Sequence, residues 1–157
     1  MSYRRSETRA IGIPVSKLAA TLAYVGLVPF VGATGAMFSA DPATSGVALY
    51  VLTVYAAVIL SFAGAIHCGL AMNGEHTLAH WQLGFGIGPA LAAWLLLVTL
   101  PPLGALIGLG TAFLIVFAVD LMAITYGLAP TTYTRLFVVS TIVICASLWT
   151  AAWTLAH

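Results

Sequence analysis

Charge is what this sequence has least of. Only 6% of its 157 residues are Asp, Glu, Lys or Arg, against roughly 25% in an ordinary soluble domain. So few charges leave nothing to clothe a water-facing surface, which excludes a soluble globular fold and a solvated disordered chain. No basic stripe is present to neutralise phosphates, so no nucleic-acid partner is expected. Cysteine is equally scarce. Cys68 and Cys145 both lie in apolar runs, without a CxxC pair, which excludes a disulfide framework and a redox motif. In such surroundings a thiol behaves as a small hydrophobe. Also missing are a nucleophile beside a base, a phosphate loop and paired carboxylates, so no catalytic site is expected. The Gly84-x-Gly86-x-Gly88 run lacks the strand and spacing of a dinucleotide fingerprint.

What the sequence does contain is apolar length. Sixty-two per cent of residues are hydrophobic, and crossing the hydrocarbon core takes about 20 of them as a helix. Five stretches qualify, at about 18–38, 44–72, 83–100, 103–128 and 132–155. A β-barrel would instead show alternating segments of about 10 residues; these runs are continuous. The expected fold is an all-α membrane protein. A basic cytoplasmic segment, 1–17, leads into a bundle of five transmembrane helices, 18–157. Arg4, Arg5, Arg9 and Lys17 precede the first span and Arg135 follows the fourth. Cationic loops stay inside, so the N-terminus is expected in the cytoplasm and the C-terminus in the periplasm. A basic start followed by an apolar run also resembles a signal peptide, but this run is long enough to remain as a span. A bacterial inner membrane is the expected location, with the mitochondrial inner membrane as the alternative, and the lipid bilayer is the surrounding partner.

Small residues recur every four positions at Ala57, Ser61, Ala65 and Gly69, and again at Gly104, Gly108 and Ala112. Such stripes let helix backbones approach within lipid, either inside the bundle or against another subunit or copy. Polar groups inside a membrane are costly and therefore locate candidate sites. His67 and Asp120 sit near the cytoplasmic ends of the second and fourth spans, at matching depth. Pairing would lower the cost of burying both, and Ser61, Tyr126, Tyr133 and Arg135 fall toward the same side. The pair reads either as a structural clamp or as a proton-linked or ligand-binding pocket. Glu75, His76 and His80 form a second cluster. His76 and His80 share a helix face, a weak metal-ligand spacing beside the plainer reading of a solvated loop. No cofactor is required by these patterns; haem or quinone remains an option for the pocket. Trp81 and Trp153 fit opposite ends of an aromatic belt, while Trp94 and Trp149 fit packing.

In the second span, Tyr55-Ala-Ala-Val-Ile-Leu-Ser-Phe-Ala-Gly-Ala-Ile-His67-Cys-Gly-Leu-Ala71 resembles the signature of the domain of unknown function 3429 family. That family includes a mitochondrial transmembrane protein and many proteobacterial inner-membrane proteins. Pro89-Ala-Leu-Ala-Ala-Trp94 looks like its third-span motif. Asp120, Gly127-Leu-Ala-Pro130 and Tyr133-Thr-Arg135 look like its ending. Cys68 and Thr134 depart from the family's usual Trp and Leu. The resemblance implies the fold and the topology, and singles out His67, Asp120 and Arg135; it implies no reaction. Small size, small-residue stripes and the missing catalytic constellation lead to one functional expectation, an accessory or assembly subunit of a larger respiratory or photosynthetic complex. A small transporter or proton-linked carrier using His67 and Asp120 is the second, and a haem-, quinone- or lipid-binding protein the third.

Overall fold

The computed structural model describes residues 15–39, 41–72, 79–125 and 134–157. Every regular element among them is a helix: α1 Val15–Val25, α2 Val28–Ala36, α3 Pro42–Met72, α4 Ala79–Thr99, α5 Pro102–Thr125 and α6 Thr134–Ala156. The last four are long and apolar enough to cross a membrane, and 20–36 forms a shorter apolar stretch. The helices close into a bundle in which α3 packs on α2, α4 and α5, and α6 returns against α2 and α5. Of the candidate small stripes and sites, all the described members lie on these helices.

The first stretch is not the single helix its hydropathy suggests. It breaks between Val25 and Val28, and the cause is Pro29. Proline lacks an N–H, and its ring clashes with the carbonyl four residues back, here Val25. Pro29 therefore sits in the first turn of a new helix, α2. A break in lipid leaves backbone groups without water, at a cost of several kcal/mol each. Local turns satisfy part of this, with Gly26 N–H on Leu22 O at 2.9 Å and Leu27 N–H on Tyr24 O at 3.0 Å. The Tyr55 hydroxyl of α3 satisfies one more group by donating to Gly26 O at 2.9 Å. Tyr55→Phe is thus expected to lose about 1 kcal/mol, the usual worth of one hydrogen bond to a partly buried carbonyl. Denaturation of the detergent-solubilised protein measures this, and an unchanged midpoint would mean another donor caps Gly26.

α3 begins two residues earlier than the apolar run, because Pro42 can occupy a first-turn position and Asp41 caps it. Asp41 accepts from the Thr44 backbone N–H at 3.0 Å and the Ala43 N–H at 3.3 Å. The Thr44 hydroxyl, then those N–H groups, hold its carboxyl below the usual carboxylate value.

The core is one apolar cluster. Phe30, Leu52, Leu60, Leu106, Leu109 and Leu148 are fully buried. Phe30 meets Tyr55 edge-on at 5.2 Å and Phe113 at 6.4 Å, an arrangement favoured by ring quadrupoles. Large apolar side chains such as Tyr50, Phe62, Trp81, Trp94 and Trp153 face outward, as lipid permits. Trp81 at the start of α4 and Trp153 near the end of α6 lie at opposite ends of the bundle. Trp149 is different: it is partly exposed, yet its indole nitrogen would lie 2.6 Å from a Cβ at Gly110, so it packs across α5.

The four-residue stripes do only part of the expected packing. At 100° per residue, each step of four turns 40° further around a helix. On α3 the stripe accordingly drifts from buried Ala57, through half-buried Ser61, to exposed Ala65 and Gly69. The close contact uses Gly64 instead, where a Cβ would lie 2.7 Å from Gly86 O and 3.0 Å from Pro89 Cγ. Gly86 in turn leaves room for the Cys68 side chain. The α5 stripe does face α4: a Cβ at Gly108 would meet Leu96 Cδ2 at 2.6 Å, and one at Gly104 would touch Leu100 at 3.4 Å.

Candidate functional site

Two helices bring His67 and Asp120 together. His67 falls on the buried stripe of α3 that contains Leu60, Gly64 and Ala71. Asp120 falls on the stripe of α5 that contains Phe113, Val116 and Ala123. α3 and α5 are separated by one antiparallel helix, so they run the same way. His67 lies five residues before the end of α3 at Met72, and Asp120 five before the end of α5 at Thr125. At 1.5 Å per residue both lie about 8 Å from their helix ends. His67 Nε2 and Asp120 Oδ1 are 2.9 Å apart, the length of a charge-assisted hydrogen bond. With the carboxylate ionised, Nε2–H donates to Oδ1. The imidazole is 2% exposed as a residue, whereas the Asp120 side chain keeps 15% of its surface open. Phe85 of α4 completes the enclosure, edge-on to the imidazole with ring centres 6.5 Å apart. This is the one acid–base contact of ion-pair length among the described residues.

The other expected members of the network do not join it. Ser61 donates to Ala57 O at 2.8 Å, within its own helix, a common way for a buried hydroxyl to be satisfied. Arg135 stands exposed in the first turn of α6 and makes no ion pair with Asp120. Tyr126, Tyr133, Glu75 and His76 lie outside the described residues. His80 is exposed in the first turn of α4, and no group of three metal-ligating side chains occurs among the described residues.

Gln82 is the residue that sequence reasoning missed. It is 7% exposed, and neither amide atom has a hydrogen-bond partner among the described residues. A buried amide left in this state is costly and rare. Gln82 lies on the α4 stripe of Gly86, Pro89 and Ala93, one turn beyond Gly86 toward the same end of the bundle as His67. Phe85, three positions along, occupies the adjoining face and touches His67. The only sequence signal was the spacing 82, 86, 89, 93, obscured because Gln82 follows a polar segment.

Beside this centre, α4 and α5 part to leave a groove of about 200 Å³. Gly84, Gly88 and Ala92 form one wall; Ala112, Ile115 and Val116 form the other, and Phe85 closes toward His67. A Cβ at Gly84 or Gly88 would meet nothing within 4 Å. Asp120 continues the Ala112–Val116 row of α5 one turn beyond the residues that line the groove. A larger groove of about 540 Å³ between α2 and α3 lies toward the opposite end, lined mostly by Ala and Val, and holds no such pair.

Spanning helices around a buried acid–imidazole pair define a multi-pass helical membrane protein with an intramembrane polar centre. A family model described as a protein of unknown function, DUF3429, matches residues 15–153. The chain belongs to that family, and the match covers both members of the pair and Gln82. No curated protein and no solved structure matches the chain.

Proposed function

We propose that this chain is a small subunit of the bacterial inner membrane that binds a lipid-soluble ligand at the His67–Asp120 centre. The observation that carries the reading is the partial exposure of Asp120, one helical turn from the Val116 wall of an apolar groove. A pair serving only as a clamp has no use for an open carboxylate edge, whereas a ligand donor needs one. Haem fits these residues poorly, because His67 Nε2 is already engaged by Asp120 and its ring is buried. A ligand with an uncharged polar head fits better. Lys and Arg placement assigns this end to the cytoplasmic side.

A second feature favours an accessory or assembly role in a larger respiratory or photosynthetic complex. Ala65 and Gly69 face outward on α3, and a Cβ at Gly69 would meet nothing within 4 Å, leaving a surface suited to another helix.

Extraction in a mild detergent, followed by mass spectrometry of bound small molecules and proteins, tests both readings. A ligand retained by the wild type and lost in Asp120→Asn is the expected result. A free monomer carrying no Asp120-dependent molecule would overturn the ligand reading, and absence of a crosslinked partner would overturn the subunit reading. Proteoliposome flux abolished by Asp120→Asn would instead favour a proton-linked carrier.

A further inference from the structure

Resting on that ligand-binding reading, we propose that the site takes a prenylated quinone or quinol. Its ring would lie between Gln82, Phe85 and the His67–Asp120 pair, and its tail along the α4–α5 groove. Three observations converge on this class. The first is Gln82, whose buried amide carries a donor and an acceptor with no partner for either among the described residues. The second is the open edge of Asp120, whose partner His67 meets Phe85 edge-on. Two polar points on separate helices suit a flat ring that carries oxygens on opposite edges. A quinone oxygen accepts from the Gln82 amide N–H, and a quinol hydroxyl can also donate to the amide oxygen or to Asp120. The third is the groove, whose small outward-facing residues leave space for one branched apolar chain beside the pair.

The chemistry disfavours other membrane amphiphiles. A phospholipid would bring an anionic head beside the Asp120 carboxylate, with no Lys or Arg paired there among the described residues. Its head would also have to leave the interface for a centre about 8 Å along the helices from their ends. A sterol offers one hydroxyl for two polar points. The proposal concerns binding and includes no redox step.

The test is a calorimetric titration of the purified full chain, in mild detergent, with decylubiquinone and with a tail-less dimethoxybenzoquinone. The wild type is expected to bind one decylubiquinone per chain, saturably. Gln82→Leu removes the orphaned amide and should weaken both ligands about tenfold while raising the thermal midpoint. That combination separates a ligand contact from a structural one. Gly88→Leu fills the groove on an open face, so it should fold. It should weaken decylubiquinone about tenfold and leave the tail-less ring unchanged. Non-saturable binding, or equal affinity across wild type and both variants, overturns the proposal. So does full competition by phospholipid or sterol. Extracted-ligand mass spectrometry separates this failure from that of the underlying reading. An Asp120-dependent amphiphile that is not a quinone overturns only the quinone assignment, whereas none at all overturns both.

Discussion

His67→Ala is expected to cost the folded bundle about 3 kcal/mol, because it removes one partner of a buried pair and leaves the other without compensation. The loss should appear as a lower denaturant midpoint of the detergent-solubilised protein. Asp120 is partly exposed, which keeps the figure at the lower end of the usual range. Asp120→Asn should cost less, about 1 kcal/mol, because an amide oxygen still accepts from Nε2–H at the 2.9 Å separation seen here. The double change His67→Leu with Asp120→Leu should recover much of the loss, since apolar replacement of a whole buried pair is often neutral. Stability equal to wild type in both single variants would show that the pair does not hold α3 to α5. The hierarchy also bears on function. A folded Asp120→Asn protein that has lost its ligand is informative, whereas an unfolded His67→Ala protein is not.

The second large effect lies one helix away. Gly86→Ala is expected to destabilise by about 2 kcal/mol, the usual cost of overpacking. An added Cβ would collide with Cys68 Sγ and lie 3.0 Å from the Cys68 backbone nitrogen. The sulfur can move; the backbone cannot without separating α3 from α4. Cys68→Ala should therefore rescue part of the loss and not all of it, and the double-mutant cycle measures that part. Gly88→Ala is the control. A Cβ there meets nothing within 4 Å, so its effect should stay within about 0.5 kcal/mol. If Gly86→Ala behaves like the control, the close approach of α3 and α4 contributes little to stability.

The spans were legible because apolar length is a one-dimensional property. The His67–Asp120 pairing was legible for a related reason. The apolar runs put His67 five residues and Asp120 eight residues before the same ends of parallel spans, compatible depths, and polar groups in lipid seek each other. What was hidden depends on direction around a helix. Ala57, Ser61, Ala65 and Gly69 look like one face at a spacing of four, but the helix repeat of 3.6 carries the last two into lipid. Gly86 looked equivalent to Gly84 and Gly88, yet it alone of the three faces Cys68. The break before Pro29 was hidden for another reason. Hydropathy does not register a missing N–H, and Gly26 finds its donor at Tyr55, far away in sequence. Gln82 looked like part of a polar connection because its burial depends on its place around α4, on the stripe whose Gly86 and Pro89 meet α3.

The broken first span has a mechanical consequence. α3 has 31 residues, about 46 Å at 1.5 Å each, against a hydrocarbon core of about 30 Å. Such a rod accommodates the mismatch by tilting. A stiff neighbour bound along it would have to tilt equally or lose contact. α1 and α2 are 11 and 9 residues long, joined at Gly26–Leu27 and tied to α3 by Tyr55. Each half can therefore take its own angle. The break gives this side of the bundle two short axes where α3 has one long one, with Phe30 of α2 held on Tyr55 and Phe113.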